Sequence, residues 1–311
     1  MSPRRAGERI HKVTSVKRRR APQRPKDDDR LGAHVSTQGG VPNAPGRGVA
    51  IGANVIQVFT KTPNQWREPE ISQTVGDTFR GELERSGLAI AFSHDSYLIN
   101  LASPDPILSG RSVTSFIAEL ARCQALGIAA VVSHPGNHMD GRDVGLQRNA
   151  ENYTRALAAV PGALRVLLET PAGSGTCLGA TFEEIARLRE LIPLPHRDRV
   201  GFCADTCHLY SAGYDLVGDF DAVWRQWDDV IGLGHLECLH LNDSATPFAS
   251  RRDRHALIGE GSLGPGPFQR IMSDPRLRSI PKIIETPKGT DQVRMDRKML
   301  RRLRSYAAMA E

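Results

Sequence analysis

The chain is paced by a beat that few folds can accommodate. Eight short apolar or β-branched runs recur near residues 31–36, 52–60, 88–93, 128–133, 164–169, 199–205, 236–241 and 281–286, each bounded by turn residues. Several are almost continuously apolar, such as Ile128-Ala129-Ala130-Val131-Val132 and Val166-Leu167-Leu168. A strand with one wet face alternates apolar and polar residues, whereas an unbroken run suits a strand covered on both faces, as in a parallel sheet. The intervening stretches have helical period. Val113, Phe116, Ile117 and Leu120 form one stripe, and Phe182, Ile185, Leu188 and Leu191 a second. Phe220, Val223, Trp224, Trp227 and Ile231 form a third. Such stripes are core faces. Eight alternations of strand and helix predict an α/β fold, a single (β/α)8 barrel over residues 31–311. A doubly wound open sheet is the alternative, because strand number alone does not close a sheet.

Charge separates the start of the chain from this body. Residues 1–30 hold eleven Lys/Arg against four Asp/Glu, a balance of +7 in a chain of net +6, so the rest sits near −1. With runs such as Lys17-Arg18-Arg19-Arg20 and few apolar residues, segment 1–30 is expected to be a disordered basic tail. It reads equally as an arm for an anionic polymer or as an extension without a role. No charge-free apolar run approaches the length of a membrane span, and the basic start lacks the apolar stretch of a secretory signal. The five cysteines, Cys123, Cys177, Cys203, Cys207 and Cys238, are odd in number and scattered, which suits reduced thiols in the cytoplasm.

The ends of the predicted strands carry the chemistry. Strands three to eight end at His94, His134, Glu169, Asp205, His240 and Glu285. In a barrel these positions converge on one rim, the site-bearing face. Carboxylates after runs such as Leu167-Leu168 or Ile283-Ile284 would be costly to bury unless paired or bound to metal. His208, three residues after Asp205, and the pair Asp253/His255 add loop donors, making five imidazoles and four carboxylates. Nitrogen and oxygen donors without thiolate suit zinc, or manganese at one or more sites. Nine ligands exceed one ion and fit a cluster of two or three, a site suited to phosphodiester hydrolysis. The cysteines are poor rivals: Cys203-x-x-x-Cys207 lacks a second pair, and Cys203 is expected on the opposite side of its strand from a rim ligand.

Longer strings bear on the function. Gly32-Ala33-His34-Val35-Ser36, His94-Asp95-Ser96-Tyr97-Leu98-Ile99-Asn100-Leu101, His134-Pro135-Gly136, Asp205-Thr206-Cys207-His208, Ala212-Gly213-Tyr214-Asp215, His240-Leu241-Asn242-Asp243, Asp253-Arg254-His255 and Gly259-Glu260-Gly261 occur in order along the body. Over residues 31–305 the chain resembles endonuclease IV, a family of apurinic/apyrimidinic-site DNA endonucleases. The resemblance implies a TIM barrel with three zinc ions. His94 and His134 would bind one, with Glu169 bridging to a second that also takes Asp205, His240 and Glu285; His208, Asp253 and His255 would bind the third. It implies cleavage 5′ to abasic sites in double-stranded DNA, leaving a 3′-hydroxyl and a 5′-deoxyribose phosphate, and clearing of blocked 3′ ends. Glu285 and Glu169 would be catalytic, holding the attacking water. Tyr97 and Asn100 match DNA-contacting positions. Asn64 stands where some members have Arg, which brings Gln65 and Arg67 forward as inserted side chains. His34 and His138 would orient ligands or phosphate, and Arg251, Arg252 and Arg254 would supply local positive charge. The expected protein is a cytoplasmic monomer, nucleoid-associated in a prokaryote, with no obligate protein partner and no membrane. Two other functions compete: a sugar isomerase or epimerase on a related barrel, which needs one or two metals, and a damaged-DNA binder with a structural cluster. The third donor set, His208/Asp253/His255, speaks against the isomerase.

Overall fold

The structure, a computed structural model, describes residues 29–308. Seven parallel strands alternate with helices in chain order: β1 (Leu31–His34), β2 (Val55–Val58), β3 (Ile90–His94), β4 (Ala130–Ser133), β5 (Arg165–Glu169), β6 (Val200–Asp205) and β7 (Leu236–His240). A two-residue antiparallel ladder, β8 (Asp243–Ser244) with β9 (His255–Ala256), follows. The last strand, β10 (Lys282–Ile284), pairs with both β7 and β1, so the sheet closes and the open-sheet alternative falls. The helices are α1 (Ala44–Ile51), α2 (Gln73–Ser86), α3 (Pro106–Leu126), α4 (Arg142–Ala159), α5 (Phe182–Leu191), α6 (Thr206–Ala212), α7 (Phe220–Val230), α8 (Pro265–Ser273) and α9 (Gln292–Ala308).

Two packed layers hold this arrangement. The stripes on α3, α5 and α7 lie in the larger one, with Phe116, Phe182, Ile185, Trp224 and Trp227 fully buried. Inside the barrel, Val55, Phe92, Ala130, Val132, Leu167, Cys203, Cys238 and Ile283 pack as a separate layer. Side chains alternate across a strand, so residues two further along point inward as well. Those residues are Gln57, His94, Val132, His134, Glu169, Asp205, His240 and Glu285. An apolar plug thus fills the lower barrel, and the ionisable groups stand on top of it. Gly32 keeps β1 close to β2, since a Cβ there would lie 1.7 Å from the Val55 carbonyl oxygen.

Two expectations change, and a third falls almost wholly outside the described residues. The second run, read as 52–60, forms a strand only over Val55–Val58; Gly52 instead caps α1 in the left-handed region at φ 79°. Cys203 shares the inward face with Asp205, two residues on, instead of opposing it. Apart from Asp29 and Arg30, the basic tail lies outside the described residues. Asp29 itself is held to the barrel: its carboxylate accepts from Asn54 at 2.6 Å and from Arg304 Nε at 2.6 Å. All five cysteines are buried and unbridged. No helix among the described residues is long and apolar enough to cross a membrane.

Candidate metal centre

The inward parity of six strands delivers the site. His94, Glu169, Asp205 and His240 are the last residues of their strands, while His134 and Glu285 follow theirs directly. Asp205 also starts α6, where its Oδ1 accepts the His208 backbone N–H at 3.0 Å. That cap turns His208 back over the barrel mouth. The β8–β9 ladder brings in Asp253 and His255 from the seventh loop. The result is a cleft of about 380 Å³ lined by His34, Phe59, His94, Tyr97, His134, Glu169, His208, Asp253, His255 and Glu285.

Glu169 sits at the centre. Its Oε2 lies 3.0 Å from His94 Nε2 and 3.2 Å from His134 Nε2. Its Oε1 lies 2.9 Å from His240 Nδ1. His240 Nδ1 is also 3.2 Å from Glu285 and 4.0 Å from Asp205. Across the cleft, Asp253 lies 3.2 Å from His208 Nε2 and 3.1 Å from His255 Nε2. Donor atoms within 4.8 Å of one another form the groups His94/His134/Glu169, Glu169/Asp205/His240/Glu285 and His208/Asp253/His255. These are the three sets that the family resemblance implies, with Glu169 shared between two.

The histidine rings are oriented from behind. His94 Nδ1 faces the Asp95 carbonyl at 3.0 Å, His208 Nδ1 the Thr170 carbonyl at 2.9 Å, and His255 Nδ1 the Glu285 carbonyl at 3.3 Å. A carbonyl oxygen only accepts, so each Nδ1 donates and each Nε2 faces the cleft with its lone pair available. His240 is reversed: Nε2 donates to Gln57 Oε1 at 2.8 Å, and Nδ1 faces the carboxylates. The buried Nε2 atoms of His208 and His255 have no hydrogen-bond partner despite their nearness to Asp253. Nitrogens so placed suit a shared cation, so the donor set fits divalent metal.

Burial opposes the imidazolium form, but Glu169 outweighs it at His94, which is pushed up to about 9. His208 is pushed up to about 10, burial being overcome by Asp205 and Asp253. His255 rises to about 9, burial being overcome by Asp253. Glu169 is held well below the usual carboxylate range although burial alone would raise it, because His134 and His240 face it.

A family model described as a xylose isomerase-like TIM barrel matches residues 47–303. A probable endonuclease 4 of Geotalea daltonii is 46% identical over 280 residues, spanning 89% of this chain and 97% of that protein. The chain belongs to the endonuclease IV family. The crystal structure of endonuclease IV from Thermus thermophilus is similar at a TM-score of 0.80 and 35% identity, covering 90% of this chain and 99% of that one. An L-ribulose 3-epimerase matches at a TM-score of 0.67 with 14% identity, covering 91% and 93%, and that likeness concerns the barrel alone. As an endonuclease IV family member, the chain is a DNA-repair hydrolase of the endonuclease class.

The remaining predicted residues of this endonuclease IV family member divide. Tyr97 stands at the cleft, 68% exposed, against Phe59. Asn64, Gln65, Arg67 and Arg254 are exposed on the rim. Asn100 is engaged in the fold: its amide donates to the Asn137 carbonyl and accepts from the Asn137 N–H, both at 3.0 Å, stapling two rim loops. Trp66 lies under the Arg111 guanidinium at 4.4 Å, a contact that packs its loop against α3. His34 lines the cleft, and burial lowers its pKa against the opposing effect of Glu285. No hydrogen bond or ion pair joins His138 to any of the nine donors. It packs against Gly145, and its buried Nδ1 has no partner. Two residues escape the sequence reading. Asn242 donates to Asp205 Oδ2 at 2.6 Å and accepts the Glu285 N–H at 2.9 Å. Gln57 contacts Glu285 and His240, and its signal was a lone amide inside the run Val55-Ile56-Gln57-Val58.

Proposed function

We propose that this protein is a zinc-dependent apurinic/apyrimidinic endonuclease of base excision repair. It hydrolyses the phosphodiester 5′ to an abasic site in double-stranded DNA, leaving a 3′-hydroxyl and a 5′-deoxyribose phosphate, and it clears blocked 3′ ends. The observation that carries this reading is the convergence of His94/His134/Glu169, Glu169/Asp205/His240/Glu285 and His208/Asp253/His255 on one cleft. These sets would hold three zinc ions, with manganese acceptable at one or more of them. Bound there, divalent cations lower the pKa of a water and offset the charge that grows on a phosphoryl group.

The chain's own residues supply the rest. Glu285 is the member of the central set that is least buried, its side chain 18% exposed beside fully enclosed His240 and Asp205. It faces the cleft and is held well below the usual carboxylate range, chiefly by His240 and His34 against the effect of burial. It orients the attacking water and accepts its proton. Glu169, enclosed at the floor, keeps the imidazoles in register. Tyr97, Asn64, Gln65, Arg67 and Arg254 border the approach to the cleft and meet the DNA around the lesion. The protein acts as a monomer in the cytoplasm, without an obligate protein partner.

The test is incubation of purified protein with an end-labelled duplex carrying one abasic analogue, with and without a chelator. Incision 5′ to the lesion with a 3′-hydroxyl product, lost on chelation and restored by zinc, is expected. Zinc-loaded protein that binds the duplex without turnover would overturn the reading, as would epimerisation of a ketose sugar without incision.

A further inference from the structure

Gln57 is fully buried in the middle of β2, where the surrounding residues Val55, Ile56 and Val58 are apolar. Its amide is oriented by its partners. The nitrogen donates to Glu285 Oε1 at 2.7 Å and lies 3.1 Å from His34 Nδ1. The oxygen accepts from His240 Nε2 at 2.8 Å. Two residues of the central donor set, from β7 and from the end of β10, are therefore tied to one group on β2, across the closure of the barrel.

We infer that Gln57 is a positioning residue for the central metal site, holding His240 in the tautomer that presents Nδ1 and fixing the Glu285 carboxylate beside it. Only a primary amide performs both tasks at this place. A carboxylate accepts from His240 and cannot donate to Glu285. An ammonium donates and cannot accept. A hydroxyl is too short to span both. With Oε1 engaged by Gln57, Glu285 keeps Oε2 for the centre, where it lies 3.2 Å from His240 Nδ1. Because the acceptor is a neutral amide, His240 stays a less basic ligand than a carboxylate behind it would make it. The other histidines with an oriented ring lean on backbone carbonyls, which no side-chain change removes. His240 alone among them depends on a side chain, so the central site is the one that a single substitution can loosen.

The inference rests on the reading of the cleft as a zinc site, and zinc binding tests the two separately. Gln57→Met keeps the length and apolar stem of the side chain and removes both polar atoms. Metal-free wild-type, Gln57→Met and Gln57→Glu proteins are titrated with zinc against a chromophoric chelator, with folding checked by circular dichroism, and cobalt absorption reports the ligand field. Gln57→Met is expected to lose about 10- to 100-fold in affinity for one of the ions and to alter the cobalt spectrum. Gln57→Glu, which still accepts from His240 but sets a second carboxylate against Glu285 in place of the donated hydrogen bond, is expected to lose affinity as well. Wild-type affinity and spectrum in folded Gln57→Met would overturn the role of Gln57, as would wild-type affinity in folded Gln57→Glu. Should Gln57→Met not fold, the comparison of Gln57→Glu with wild type decides alone, unchanged affinity overturning the role. If wild-type protein itself takes up no zinc, the zinc reading of the cleft fails instead.

Discussion

Glu285 and Glu169 show how one residue type takes two roles by position. Glu169 lines the floor of the cleft, only 1% exposed and enclosed by His94, His134 and His240. Glu285 faces the cleft. Replacing Glu285 with Gln should lower the incision rate about 10²- to 10⁴-fold, the range of a general base, while abasic duplex still binds in a gel shift. Unchanged turnover would remove Glu285 from the chemistry. The imidazoles give a pH prediction of definite sign. His94, His208 and His255 are pushed from an ordinary 6.5 up to about 9, 10 and 9. A raised folded-state value means that their contribution to the metal-free protein is complete below about pH 6.5 and fades as pH rises through 9 to 10. Zinc must displace those protons. Calorimetry at pH 7 in buffers of different ionisation enthalpy should therefore show proton release on zinc binding, with affinity rising toward pH 9. Heats independent of buffer would contradict this.

At the scale of elements, the strands and their inward ends were legible because apolar runs and period-2 parity are local properties. Gly32, Cys203 and Gln57 show the limits. The same parity that placed Glu169 should have placed Cys203 inward, next to Cys238, its register partner on β7. The β8–β9 ladder is two residues long on each side, too short for any pattern to register. A larger omission lies beneath the loop that carries Asn64, Gln65 and Arg67. Lys61 donates to the Gln65 carbonyl at 3.0 Å, to Glu68 at 2.5 Å and to Ser115 at 3.0 Å. Arg122 on α3 joins Glu68 and Glu119, each at 2.6 Å, and Ser93, beside His94, donates to Glu119 at 2.5 Å. In sequence these charges look like a solvated helix face, because the partners are supplied by a distant loop. Here Lys61, Glu119 and Arg122 are buried, and with half-buried Glu68 they link strand β3, which carries His94, to the loop that carries Asn64, Gln65 and Arg67. Arg122→Met leaves Glu119, 1% exposed, without its counter-charge and should cost about 3–5 kcal/mol, read from the denaturant midpoint. A change under 1 kcal/mol would show that the pair is dispensable.

Over the whole molecule, the division between tail and barrel is electrostatic. The body beyond residue 30 is nearly neutral, while residues 1–28 hold ten Lys/Arg and three Asp/Glu. Asp29 pins the end of that segment to Asn54 and Arg304, so a clean truncation removes residues 1–28 and leaves the barrel's own contacts intact. Truncation should weaken binding to undamaged duplex most at low salt and flatten the salt slope by at least one unit, while incision at saturating substrate stays the same. An unchanged slope would take the tail out of DNA binding. Barrel closure was beyond the sequence because it depends on β10 pairing with β1, some 250 residues apart. Six of the nine candidate donors were within reach because they stand at barrel-strand ends, while His208, Asp253 and His255 lie beyond those ends. The most direct check is the metal content of purified, chelator-stripped and zinc-reloaded protein, measured by plasma emission against protein concentration. About three ions per chain, falling when Asp253 and His255 are replaced together by Ala, is the expected result; a single ion, or none, would contradict it.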